Sequence, residues 1–133
     1  MQIGEVAERT GLSLRTIRYY EEVGLIRPSS RTQGGFRLYT EPDVARLNLV
    51  KRMKPLGFTL EEARDLLAVL DSLDAKGAGG VERDALVDRL AMYRSAAQQR
   101  CAQLRSELET AEAFSADLKT EISRQRRVVS RSA

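Results

Sequence analysis

Arg15, Thr16, Arg18 and Tyr19 stand in one short segment, interleaved with Leu14 and Ile17. On a helix, Leu14 and Ile17 form an apolar stripe at i, i+3, and the two cations, the hydroxyl and the phenol look outward. That mixture suits nucleic acid. Guanidinium groups pair with phosphate oxygens or bidentately with guanine, and hydroxyls bond phosphates. A second polar set, Arg31, Arg37 and Tyr39, lies in SRTQGGFRLY, where Gly34-Gly35 signals a turn and Phe36 to Tyr39 alternates like a strand. No comparable set supports catalysis. There is no His, no nucleophile beside a base, no phosphate loop, and no carboxylate pair beyond helical surface pairs.

These groups need elements to carry them. Ser13 is placed to cap a helix running to Glu22, by accepting from a free amide of its first turn. Upstream, Ile3 to Thr10 reads as another short helix, which Gly11 ends. Two helices around a tight Gly turn, followed by a basic hairpin, make a winged helix-turn-helix. Thr40-Glu41-Pro42-Asp43 starts a further helix with a capping box, with Val44, Leu47, Val50 and Met53 as its apolar positions. Pro55 should end or bend it. Thr59 and Glu62 repeat the box and open a helix to about Leu73, with Leu60, Ala63, Leu66, Leu67 and Leu70 as its buried face. Ile17, Leu25 and Leu38 are assigned to the core. Tyr20 is counted among the contacts, with a core position as the alternative.

The run IGEVAERTGLSLRTIRYYEEVGLIRPSSRTQGGFRLYT resembles the N-terminal domain of MerR-type transcriptional regulators. The family pattern is met by Ile3-Gly4-Glu5, Thr16-Ile17-Arg18-Tyr19-Tyr20-Glu21, Gly24-Leu25, Pro28, and Arg37 with Tyr39. Leu56-Gly57-Phe58-Thr59-Leu60-Glu61-Glu62 fits the family's later helix entry, and the match covers about the first seventy residues. Pro55 departs from the pattern, in which that helix runs on to the Leu-Gly pair. The resemblance implies that Arg18, Tyr19, Arg37 and Tyr39 hold the DNA backbone while Arg15 and Thr16 face base edges. Ser13, Tyr20 and Arg31 complete the expected DNA-binding set. It also implies a bacterial regulator that bends and untwists a promoter with an overlong spacer so that RNA polymerase can engage it.

From Val81 to about Ile122 runs the longest expected helix, roughly 60 Å at the standard rise. Leu90, Ala97, Leu104, Ala111 and Leu118 recur every seven residues, and Cys101, Leu108, Ser115 and Ile122 follow four residues after the last four of them. Steps of four and three make a coiled-coil seam, which a lone helix cannot bury. The expected dimerisation residues are therefore Leu90, Ala97, Cys101, Leu104, Leu108, Ala111, Leu118 and Ile122. By the resemblance, the two helices pair antiparallel. The expected organisation is a DNA-binding domain over 1–73, a Gly-rich linker over 74–80, the coiled-coil helix over 81–122, and a basic, disordered tail over 123–133. The fold class is mainly α, with a small β wing and a second helix pair.

Charge follows the same division. Arg9 to Lys54 holds ten Lys or Arg against four Asp or Glu, whereas Pro55 to Ile122 holds eight against thirteen. A basic head on an acidic body fits double-stranded promoter DNA as the partner of one part only. One cysteine excludes an intramolecular disulfide. With His absent and Cys101 alone, no metal or cofactor is expected, although an antiparallel dimer could bring two Cys101 residues together. Eleven residues follow Ile122, so the ligand domain of drug-sensing relatives is expected to be missing and the small-molecule effector is unidentified. Without an apolar span or signal peptide, no membrane is expected, and the location is cytoplasmic, at the nucleoid. The main reading is a homodimeric, sequence-specific regulator. Two others stay open: an effector-independent or architectural DNA-binding protein, and an interaction module whose long helix holds a partner such as a sigma factor.

Overall fold

The computed structural model describes residues 1–27, 30–31, 33–75, 77 and 79–132, without the side chains of Ser30, Arg31 and Ser132. Helix α1 is Ile3–Thr10 and α2 is Leu14–Glu22. Gly11 ends α1 in the left-handed region at φ 73°, where a residue with a Cβ would be strained, and its amide donates to the Ala7 carbonyl at 2.8 Å. The Lys51 ammonium donates to the Thr10 carbonyl at 2.6 Å, placing a cation at the negative end of α1. Ser13 caps α2 by accepting the Thr16 amide at 3.1 Å. The wing is a pair of two-residue antiparallel strands, β1 (Ser30–Arg31) and β2 (Arg37–Leu38), with Ser30 opposite Leu38 and Arg31 opposite Arg37.

Helix α3 is Glu41–Met53 and α4 is Leu60–Asp74. Both open with the expected capping boxes: Thr40 accepts from the Asp43 amide, Thr59 from the Glu62 amide, and each carboxylate accepts its capping residue's amide at 2.9 Å. Pro55 ends α3 as expected. The chain tightens into a single 3₁₀ turn over Lys54–Leu56 and reverses at Gly57, φ 87°. Val6, Ile17, Leu25, Tyr39, Leu47 and Leu67 are among the side chains that close one apolar core. Arg46 Nε donates to the Leu25 carbonyl at 3.2 Å and Arg64 to that of Val23 at 2.5 Å, holding the segment after α2 against α3 and α4.

Helix α5 is Gly80–Ser132. The compact units part at Tyr93, inside α5, and not at the Gly-rich linker. The cause is local: Asp65 on α4 accepts the Tyr93 hydroxyl at 2.5 Å and is ion-paired with Arg89, and the Tyr93 ring lies 6.0 Å from Phe58. Val69, absent from the expected α4 stripe, is buried for the same reason, since it shares the Asp65 face one turn on. The second unit, from Arg94 on, is the rest of α5.

Three expectations are corrected. Leu14 is 41% exposed, because Ile17 and Tyr20 alone carry the core face of α2. Leu38 is half-buried and is not part of the core cluster. The segment after Ile122 is helical through Ser132: it contains neither Gly nor Pro, and Glu121 accepts hydrogen bonds from Arg124 at 2.7 Å and Gln125 at 2.8 Å across one turn. The heptad spacing runs on with it, since Gln125 and Val129 stand seven residues after Leu118 and Ile122.

Candidate nucleic-acid interface

On α2, Arg15, Arg18 and Tyr19 are exposed and Thr16 is half-buried, with Ile17 fully buried behind them. Among the described residues neither Arg15 nor Arg18 has a carboxylate partner, so both keep all five guanidinium donors for a ligand. Thr16 does not stand free in the same way: its hydroxyl oxygen accepts from the Ser13 hydroxyl at 2.8 Å, in the same capping arrangement that starts the helix. Arg18 and Arg37 line one cleft of about 300 Å³ with Gln2, Ile3, Gly35, Phe36 and Tyr39. Its two cations come from different elements, the helix and the wing, and its far wall is the first turn of α1. A second, smaller cleft of about 180 Å³ places Lys54 and Thr59 beside Tyr19. Lys54 was not among the expected contacts, although the run Lys51-Arg52-Met53-Lys54 is visible in the sequence.

Two members of the expected set are buried. Tyr39 is 2% exposed, and its hydroxyl donates inward to Glu21 Oε2 at 2.8 Å, so it cannot grip a phosphate in this conformation. Burial, with the Glu21 hydrogen bond second, pushes its phenol up to about 12. Tyr20 is 7% exposed and belongs to the core, its ring 5.9 Å from that of Tyr19. Ser13 is exposed but engaged at the helix start, and the side chain of Arg31, like Pro28 as a whole, lies outside the described residues.

Arg37 is ion-paired: its Nη1 sits 2.6 Å from Glu21 Oε1, with the guanidinium 40% and the carboxylate 11% exposed. Three further cations of the basic block serve the fold. Arg9 is paired with Glu41, Arg46 with Asp71, and Lys51 holds the end of α1. The Glu41 partner raises the Arg9 pKa and is itself lowered by it. The charge excess of the head therefore overstates what it offers a ligand. Among the described residues no three His, Cys, Asp or Glu side chains gather as a metal site. No described helix is long and apolar enough to cross a membrane.

Helix, tight turn, basic second helix and wing recur in known proteins. Residues 1–70 match the family described as MerR HTH family regulatory protein, and residues 44–128 match the one described as MerR, DNA binding. The chain belongs to the MerR family. It is 49% identical over 75 residues to the mercuric resistance operon regulatory protein of Bacillus cereus, a stretch that covers 56% of this chain and 57% of that one. The chain thus spans little more than half the length of this curated MerR relative. A MerR family transcriptional regulator from Listeria monocytogenes superposes with a TM-score of 0.67 at 28% identity, over 84% of this chain and 80% of that chain. The transcription regulator PbrR691 from Ralstonia metallidurans CH34, solved in complex with lead(II), gives 0.52 at 34% identity, over 82% of this chain and 84% of that chain.

Proposed function

We propose that the chain is a sequence-specific transcriptional regulator that binds double-stranded promoter DNA as a homodimer. One observation carries the reading: Arg18 on α2, with no carboxylate partner among the described residues, and a half-exposed Arg37 on the wing face the same open cleft. A phosphate there meets cations from two elements at once, while the helix between them presents Arg15 and Thr16 to the major groove. Tyr19 and Lys54 extend the backbone contacts along the same side. The relatives' names support the regulatory role, and distortion of the promoter for RNA polymerase is the corresponding mechanism. Deformation of that kind costs energy that phosphate contacts offset.

The homodimer rests on the second unit. From Ala102 to Arg131 every described residue of α5 is exposed, including Leu104, Leu108, Leu118 and Ile122. That row of leucines on one helical face is covered by a second copy. A single head contacts too few base pairs for genomic specificity, and the pair reads a two-fold site.

The deciding experiment measures affinity for a selected two-fold site across a salt series. Arg18→Ala weakens binding to specific and unrelated DNA alike and lowers the slope of log K against log salt by about one, because one phosphate contact and its counterions are lost. An unchanged slope removes Arg18 from the interface.

A further inference from the structure

The acidic residue inside this basic face has a geometry that surface charge does not explain. Glu21 sits in the last turn of α2, and both oxygens of its carboxylate are engaged: Oε2 accepts the Tyr39 hydroxyl at 2.8 Å, and Oε1 meets Arg37 Nη1 at 2.6 Å. Arg37 and Tyr39 are two apart on the extended chain, so they project to the same side of the wing, toward α2. Tyr39 cannot yield, because its ring is in the core. The carboxylate is consequently held from behind by a buried donor and holds a half-exposed cation in front.

We propose that Glu21 is a positioning residue for DNA binding: anchored by the Tyr39 hydroxyl, it orients Arg37 toward the phosphate backbone and ties the wing to the recognition helix. The proposal rests on the reading of Arg37 as a backbone contact. The wing needs such an anchor, since two strands of two residues each are too short to hold a position of their own. Arg37 needs it too. A free arginine samples many rotamers and loses that freedom on binding, whereas one already held by the Glu21 carboxylate and the Tyr39 hydroxyl keeps its remaining donors for phosphate at a smaller entropic cost. A bare carboxylate beside DNA would repel it. This one is already paired with Arg37 and 11% exposed, so its field at the phosphate is largely cancelled and the ordering effect wins.

The test is a double-mutant cycle on the full chain, read as DNA affinity and salt slope, with thermal unfolding as the folding control. Glu21→Gln keeps an acceptor for Tyr39 and loses the ion pair. It is expected to weaken binding by about 5- to 20-fold and to lower the salt slope by about one, as Arg37→Ala does. In the Arg37→Ala background it is expected to change neither quantity. Equal effects of Glu21→Gln in both backgrounds, or tighter binding in the first, overturns the proposal while leaving Arg37 a contact. An Arg37→Ala variant with unaltered affinity and slope overturns the contact and the proposal together. Should Glu21→Gln unfold the head, Glu21→Asp, which keeps the charge and shortens its reach to Arg37, runs through the same cycle. Weaker binding that vanishes in the Arg37→Ala background then supports the positioning role, and equal effects in both backgrounds overturn it.

Discussion

The polar residues of the head divide into those that face solvent and those that hold the frame, and residue type does not announce which is which. Tyr19 and Tyr20 are neighbours of one kind, yet the first is 49% exposed and the second 7%. Helical spacing separates them, because Tyr20 lies three residues after Ile17 and so on its buried side. Tyr39 was harder to read. Strand alternation gives the side of the wing on which it sits, but whether that side meets water or a helix is decided by α2, far away in sequence. The same applies to Glu21, whose cation comes from sixteen residues downstream. Spacing on one helix was thus enough to predict that Arg15 and Arg18 are exposed, whereas the burial of Tyr39 and the pairing of Arg37 depend on partners distant in sequence.

Tyr39 supplies a pH test of its burial. Its phenol ionises near 10 in an unfolded chain and near 12 in the fold, so the folded state favours the neutral form. That contribution is complete below pH 10 and is lost as pH rises toward 12. Urea unfolding of wild type and Tyr39→Phe across this range is expected to show a steeper decline in the wild-type midpoint than in that of the variant. Parallel declines would place the tyrosine in water.

At the scale of elements, most starts and stops were legible because they are local. The ranges of α1 and α2 and the two capping boxes follow from Gly11, Ser13, Thr40 and Thr59, each acting within a turn of itself. Pro55 was equally local. The end of α5 was not, since a basic segment without strong apolar period reads as disordered until the Glu121–Arg124 pair is seen. The Gly11 turn can be measured directly. A Cβ there would be strained by the backbone and would stand 3.0 Å from Lys51 Nζ, the group that holds the end of α1. Gly11→Ala is expected to cost about 1–2 kcal/mol in urea unfolding, from the left-handed backbone alone. A change below a few tenths would mean that the turn relaxes freely.

At the scale of the whole molecule, the two units differ in what they can stabilise alone. The first, Met1–Tyr93, closes its own core; the second is a helix whose apolar face has no cover of its own. Leu104→Lys places a charge in the middle of that face. Sedimentation equilibrium is expected to show the wild type as a dimer and the variant shifted toward monomer, with the head's thermal transition little changed. A variant that stays dimeric would mean that the seam runs elsewhere on α5.

The exposed apolar face of α5 has a consequence for gene dosage. Most stability of a helix in a protein comes from packing its apolar face, so in the proposed dimer that of the second unit would be drawn from another copy of the chain and would rise with the number of copies present. At low expression the heads would be intact but their helices would open to proteases. The cell would then hold few assembled regulators until synthesis crossed a threshold, and DNA occupancy would climb more steeply than protein abundance.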